Sequence, residues 1–349
     1  MKENLRDKRK FNFYPAGKLP IPDLARLLAH YTHHDPNLIV SPGIGKDATV
    51  ISFGDKYLVA KTDPITFATD QIGWYAVHIN ANDIAVMGGT PRWFLATLLL
   101  PEGKTNQQIV EGILSQIDKS CREIGVVLCG GHTEITYGLD RPLVIGHMLG
   151  EIDKEKLVIP ENIRLGDKII LTKGIAIEGT ALIAREKREL AEVLGEEFVK
   201  RCQQLLTSPG ISILREARLA QEVAPIHAMH DPTEGGLATG IQELAMAAQA
   251  GMIMEMEKIL ILPETVTLCR TLKLDPLGLL ASGALLIVTA SAEAPKVVNT
   301  LRKAGIPAEI IGTITEKEKG VKLKREGKLV DLPVFSRDEV AKLFAGEVA

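Results

Sequence analysis

The chain has 349 residues, 46% hydrophobic and 24% charged, with a net charge of −3. At about 100–200 residues per domain this length predicts two domains, each long enough to bury a core. The mild acidity argues against a nucleic-acid binder, which shows a basic patch or stripe, and no apolar run approaches the ~20 residues of a membrane helix.

The opening "MKENLRDKRKFNF" is charged and lacks the apolar centre of a signal peptide. It predicts a polar arm over 1–16 of a cytoplasmic protein. A first domain follows over 17–156. "LPIPDLARLLAHYT" reads as a helix after Pro22, with Leu24, Leu27 and Leu28 on one face. "SPGIGKDATVISF" holds Gly43, Gly45 and Ala48 at the spacing of a dinucleotide-binding loop. Such a loop must run into a helix. Here "ATVISF" and "KYLVAKTD" are β-rich runs joined by "GD", a hairpin signal, so that reading is discarded. "GWYAVHINANDIAVMGG" predicts a helix with Trp74, Val77, Ala81, Ile84 and Ala85 at helical spacing, ended by Gly88-Gly89. "RWFLATLLL" predicts a buried strand, "TNQQIVEGILSQIDKSCREIG" an amphipathic helix, "VVLCGG" a strand ending in glycines, and "PLVIGHMLGEI" another strand.

A second domain is expected over 157–349. "KIILT" reads as a strand. "IEGTALIARE", "EEFVKRCQQLL" and "SILREARLAQEV" read as helices. "IHAMHDPTEGGLATGIQELAMAAQ" is a strand, a glycine turn and a helix, and "GALLIVTA", "KVVNTLRKAG" and "AEIIGTI" form strand–helix–strand. The alternation predicts a mixed α/β fold. The tail "EVAKLFAGEVA" reads as a short helix or frayed end. Cys121, Cys129, Cys202 and Cys269 form no C-x-x-C and predict buried reduced thiols.

The chemistry lies in acidic residues beside glycines. Asp47, Asp63, Glu134 and Asp231 fall at strand ends, where turn and cap duty explains many such residues. Asp83 is different. It sits in mid-helix among Ala81, Ile84 and Ala85, shares a face with Asn80, and needs a partner if buried. Several carboxylates without evident cations suggest Mg²⁺, which keeps waters and bridges to phosphates. The turns "PGIG", "CGGH" and "TEGG" expose backbone N–H groups to anions, and the helix after Gly235-Gly236 adds its positive end.

"GIGKDATVI", "KTDPITF", "WYAVHINANDIAVMGGTPRWFLATLLLP", "CGGHTEI" and "DPTEGGL" stand in the order of the aminoimidazole ribonucleotide synthetase-like (PurM-like) ATP-binding proteins, which this chain resembles from about Gly17 to Thr315. That group includes the hydrogenase maturation factor HypE and thiamine-monophosphate kinase. The second half looks most like HypE. The resemblance implies an α/β (α+β) fold of two domains, with N-terminal sheets pairing in a homodimer barrel beside a C-terminal mixed α/β domain. It implies ATP in a cleft between domains at the subunit junction. It also implies Mg²⁺ and phosphoryl transfer to an amide, carbamoyl or phosphate oxygen. On its motifs, Asp47, Asp63 and Asp83 are metal ligands, and Lys18, Gly45, Lys46, Gly130, Gly131, Asp231, Thr233, Gly235 and Gly236 contact nucleotide. Glu134 falls where the family places a further polar residue at the metal site, and His132 is a candidate base.

Two departures stand out. Lys46 replaces an acidic residue common in relatives, and "ASGALLI" lacks a Glu common in HypE. The chain ends "LFAGEVA", with Cys269 its last cysteine, and so predicts no thiol carrier of the kind HypE uses at its C-terminus. The expectation is a HypE-like Mg-ATP enzyme without that carrier. Its alternative is a non-catalytic ATP-binding partner of a maturation or assembly protein.

Overall fold

The structure, a computed structural model, describes Tyr14 and residues 17–344. The arm expected over 1–16 lies outside the described residues apart from Tyr14. The first half runs α1 (Ile21–Tyr31), β1 (Leu38–Val40), β2 (Thr49–Phe53), β3 (Lys56–Ile65), α2 (Ile72–Val86), β4 (Thr90–Pro101), α3 (Gln107–Glu123), β5 (Val127–Thr136) and β6 (Leu143–Asp153). The second half begins with β7 (Lys168–Thr172), α4 (Ile177–Glu186), α5 (Leu190–Leu194), α6 (Glu196–Gln204), α7 (Leu214–Val223), β8 (Ile226–His230) and α8 (Gly236–Ala248). It continues with β9 (Gly251–Glu255), α9 (Pro263–Leu272), β10 (Leu286–Thr289), α10 (Ala294–Lys303), β11 (Ala308–Thr315), β12 (Val321–Arg325), β13 (Lys328–Asp331) and α11 (Glu339–Phe344).

Each half builds one sheet. The first has six strands in the order β1-β2-β3-β6-β4-β5, and the second seven in the order β13-β12-β9-β11-β7-β10-β8. The expected hairpin is present: β2 and β3 pair antiparallel across Gly54-Asp55, with Phe53 opposite Lys56. β4 and β5 pair in parallel, because α3 carries the chain back between them. β9, α9 and the β12–β13 hairpin carry no pattern strong enough to read from sequence.

The "CGG" stretch behaves differently from expectation. β5 does not end at its glycines; it continues through them to Thr136. The register with β4 shifts between Phe94 and Leu95, leaving Cys129 without a partner in the ladder. Gly131 lies opposite Ala96, and a Cβ there would fall 1.9 Å from the Ala96 carbonyl oxygen. Close strand contact, not a phosphate turn, demands this glycine. Cys121, Cys202 and Cys269 are buried as expected, but Cys129 is exposed, because β5 is an edge strand with an open face.

α2 departs furthest from an ordinary amphipathic helix. Every residue except Trp74 is buried, because α3, the first sheet and α7 pack around it. Its polar residues are therefore tied down individually. Asn80 Nδ2 donates to the Ala76 and Asp63 carbonyls at 2.8 and 3.3 Å. Asn82 Nδ2 donates to the Ile211 carbonyl at 2.9 Å, and its Oδ1 accepts from the Ile213 N–H at 3.0 Å. Asn82 thus clamps the first half to the segment before α7. Lys173 Nζ grips that segment from the other side, donating to the Gly210 and Ser212 carbonyls at 2.9 and 2.7 Å while it pairs with buried Glu216 at 2.8 Å. One apolar cluster runs without a break across both halves, from Val50 and Ile84 to Leu182 and Leu205.

Replacing Asn82 by Ala leaves the Ile211 carbonyl and the Ile213 N–H buried without partners. Each such group costs about 1–3 kcal/mol, so Asn82→Ala lowers unfolding free energy by at least about 2 kcal/mol. Urea unfolding followed by circular dichroism measures this; an unchanged midpoint would show that the clamp carries no load.

Candidate functional site

The site begins where the loop after β1 lies directly on α8. Gly45 has φ +69, and a Cβ there would fall 2.4 Å from the Glu243 carbonyl oxygen. Only glycine suits both the conformation and the approach. That contact brings Asp47 against the end of β8, where His230 Nδ1 lies 2.9 Å from Asp47 Oδ2. The other ring nitrogen faces Glu243 Oε2 at 3.4 Å. Asp47, His230 and Asp231 each present a ligand atom within 4.8 Å of the others.

β3 and α2 supply the opposite wall. Lys61 and Asp63 alternate on one face of the strand. Lys61 Nζ lies 3.3 Å from Asp83 Oδ1 and 3.8 Å from Asp63 Oδ2. Burial raises the Asp83 carboxyl well above its ordinary range; Lys61 opposes this, and Asp231, Asp63 and Asp47 add to it. Burial, with Asp47 beside it, pushes Asp231 up to about 7, and burial also raises Asp63. Burial alone would lower Lys61, but the four aspartates override it and hold the ammonium well above its ordinary value. His230 is likewise held charged against its burial by Asp47 and Glu243.

Asp83 Oδ2 and both carboxylate oxygens of Asp231 are buried without a hydrogen-bond partner. Orphaned anionic oxygens in a buried cluster fit a divalent cation, since buried charges are paired or coordinate metals. Asp47, Asp63, Asp83 and Asp231 are the residues that would hold it, in an all-oxygen set suited to Mg²⁺.

Beside this cluster, Lys18 Nζ reaches Thr233 Oγ1 at 3.2 Å, Glu234 Oε2 at 3.5 Å and Glu243 Oε1 at 3.6 Å. Lys18, Gly45, Asp47, Asp63, Asp83, Asp231 and Thr233 therefore meet at one place. The other expected site residues do not. Lys46 turns away and pairs with Glu161 at 2.7 Å. The Gly235 N–H donates to Asp338 Oδ2 at 2.7 Å and the Gly236 N–H to the Thr233 carbonyl at 3.1 Å. Both amides expected to face a phosphate are thus satisfied within the chain. Gly130, Gly131, His132 and Glu134 lie on β5. The row Asp63–Gly146–Ala96–Gly131 places that strand three ladder spacings from β3, or about 14 Å. His132 and Glu134 are exposed there, 3.5 Å from each other.

Lys61, His230, Glu234 and Glu243 escaped the sequence reading. Lys61 was detectable, two residues before Asp63 on one strand. His230 adjoins Asp231. Glu243 gives no local signal, because its role comes from the packing of α8 on Gly45. Glu178, at the N-terminal turn of α4, was also missed. It is buried, with Oε2 unpartnered, in a narrow cleft shared with Asp63 and Glu234.

Family models for AIR synthase related proteins match residues 45–152 with the N-terminal domain and 164–324 with the C-terminal domain. A protein of Methanocaldococcus jannaschii named for hydrogenase expression/formation is 32% identical over 309 residues, covering 84% of this chain and 89% of that one. Carbamoyl dehydratase HypE of Cupriavidus necator is 28% identical over 278 residues, covering 77% of this chain and 74% of its own. A solved structure of hydrogenase maturation protein HypE in complex with ATP superposes with a TM-score of 0.69 at 24% identity, covering 90% of this chain and 91% of that one. The two-domain PurM-like fold implied by the motifs is the fold of this chain. Among the described residues no helix is long and apolar enough to cross a membrane.

Burial pushes the Glu178 carboxyl up to about 8; Ser282 opposes this, and Glu234 and Asp338 add to it. The folded state then holds a proton that the unfolded chain releases near pH ~4.3. Glu178's contribution to stability is therefore full below that pH and is lost as pH rises toward about 8. Unfolding free energy falls from about pH 5 to about pH 9. Each tenfold change in proton affinity on folding is worth about 1.4 kcal/mol, so Glu178→Gln flattens the fall by at least about 1 kcal/mol. Equal slopes by urea titration would show that Glu178 ionises normally.

Proposed function

Since the chain belongs to the AIR synthase related family, we propose that it is an ATP- and Mg²⁺-dependent enzyme. It transfers a phosphoryl group to an amide, carbamoyl or phosphate oxygen of a small or protein-borne substrate. One observation carries the reading: Asp47, Asp63, Asp83 and Asp231 converge from both halves, and three of their oxygens are buried without partners. A carboxylate set of this kind serves phosphoryl transfer, whose catalysis is mostly positioning and charge stabilisation.

Bound Mg²⁺ supplies neutralising charge to the phosphates. The protein's own residues do the rest. His230, fixed between Asp47 and Glu243, orients the Asp47 carboxylate. Lys61 offsets part of the acidic charge from β3. Lys18, about half-exposed and held charged by Glu234 and Glu243, presents an ammonium beside Thr233, where it can position an anionic oxygen. HypE relatives named for ATP or for carbamoyl dehydration support the nucleotide and the substrate class.

A homodimer is part of this reading. β5 is an edge strand, and Val127, Ile135 and Tyr137 on and beside it are 59%, 59% and 87% exposed. Unpaired edges of this kind are usually covered. Light scattering should give the mass of a dimer, and Ile135→Arg should give a monomer; a monomeric wild type would remove this element.

A second reading, a nucleotide-binding partner in hydrogenase maturation without turnover, draws on the names of the relatives. Thermal unfolding with Mg-ATP tests the shared premise. A ligand at ~100 times its dissociation constant stabilises by ~2.7 kcal/mol. That gain should appear in the wild type and vanish in Asp83→Asn and Asp231→Asn. No gain in the wild type sinks both readings. A gain without ADP or AMP release across amide and phosphate substrates leaves the partner reading.

A further inference from the structure

A second, larger cavity lies behind the acidic cluster. Its volume is about 1030 Å³, and no residue that lines it also lines the cleft at Asp63. That is the upper end of the range for small-molecule pockets, about 300–1,000 Å³. The cavity and the cluster share structural elements. α2 carries Asp83 to the cluster and Ala85 and Gly88 to the cavity. β8 starts at Ile226 in the cavity and ends at His230 in the cluster, about 13 Å along the strand. Both halves and the segment joining them build the walls: Thr90 and Ile124, then Leu157, then Leu214 and Gln221. They meet closely at Gly88 (φ +85), where a Cβ would fall 2.4 Å from the Lys156 carbonyl oxygen and 3.0 Å from Gln221 Oε1.

Folding leaves apolar surface uncovered here. Ile124, Leu157, Leu214 and Ile226 are only partly buried, and each lines the cavity. The charged lining residues nearly all answer one another or a neighbour. Arg218 pairs with Glu222 at 3.4 Å, Lys156 with Asp153 at 2.8 Å and Glu123 with Lys119 at 3.9 Å. Glu155 interacts with the Lys156 ammonium beside it. Arg215 is the exception. It is exposed on the first turn of α7, and among the described residues its guanidinium has no hydrogen bond or ion pair. A free guanidinium beside open apolar surface matches a carboxylate on an apolar body, since its planar fork pairs two carboxylate oxygens at once. A phosphate group, with close to two charges, would meet three lining glutamates and a single free cation. A cationic ligand would find each lining carboxylate already opposed. We propose that this cavity binds a small monocarboxylate with an apolar body, its carboxylate paired with Arg215 and its chain against Leu157, Leu214 and Ile226. The site is separate from the nucleotide cleft and stands whether or not the chain turns over ATP.

The test is isothermal titration calorimetry on the full chain without nucleotide. Octanoate, octanol and octylamine serve as probes of one chain length. Octanoate should bind, and octanol at least about tenfold more weakly, the worth of one charge-assisted hydrogen bond. Octylamine should bind no better than octanol. Arg215→Gln should bring octanoate to the level of octanol and leave octanol unchanged; a merely structural loss would weaken both alike. If Arg215→Gln fails to fold, Arg215→Lys serves instead. It keeps the charge but loses the two-point pairing, and should weaken octanoate alone. No binding of octanoate, octylamine binding as tightly as octanoate, or octanoate unaffected by the variant overturns the proposal. Because nucleotide is absent and the cavity shares no lining residue with the cleft, these outcomes are independent of the Mg-ATP titration.

Discussion

A helix buried on every side must find a partner for each polar atom it carries, and α2 carries three polar residues within four positions. Asn80 looks toward β3, Asn82 toward the segment before α7, and Asp83 toward the acidic cluster. The three directions are set by the 100° turn per residue of one rigid rod. Helix placement, interdomain geometry and site geometry are therefore one problem, solved once. Asp83 can sit unpaired at one oxygen because its two neighbours on the rod fix where it sits.

The same helix explains the electrostatics. Four aspartates crowd together, and Lys61 is the cation they share. His230 adds a second positive charge but divides it between Asp47 and Glu243. The balance is negative at a place that water reaches poorly, where like charges repel most strongly. Such an arrangement is unfavourable in the free protein, and the cation of the proposed function would relieve it. The glycine contact of Gly45 on α8 completes it, since without that approach Asp47 would stand away from β8.

Much of this was legible in the sequence. The hairpin of β2 and β3, the long α2 and the strand–turn–helix at Asp231 follow from period and turn residues. Asp83 announced itself as a charge in an apolar stretch. What the sequence hid is tertiary. Gly130 and Gly131 look like a turn, but the parallel pairing with β4 draws them into a strand, and parallel partners lie too far apart in sequence for local pattern to reveal. The amides of Gly235 and Gly236 look free until Asp338, a hundred residues on, takes one and the Thr233 carbonyl the other. Glu243 and Glu178 lie on helices with no motif, and their importance comes only from what packs against them.

The reach of Asp338 has one more implication. It caps Gly235 with one oxygen and accepts from the Val340 N–H with the other, while neighbouring Glu339 accepts from the Asp275 N–H. Phe335 lies over Gly278, where any side chain would collide with its ring. The segment past β13 is thus a strap across the turn that carries Asp231 and Thr233, although the matched family domain stops at residue 324. Anyone trimming this chain to its recognisable domains would cut the strap, and the fragment would keep its motif while losing the support that shapes it.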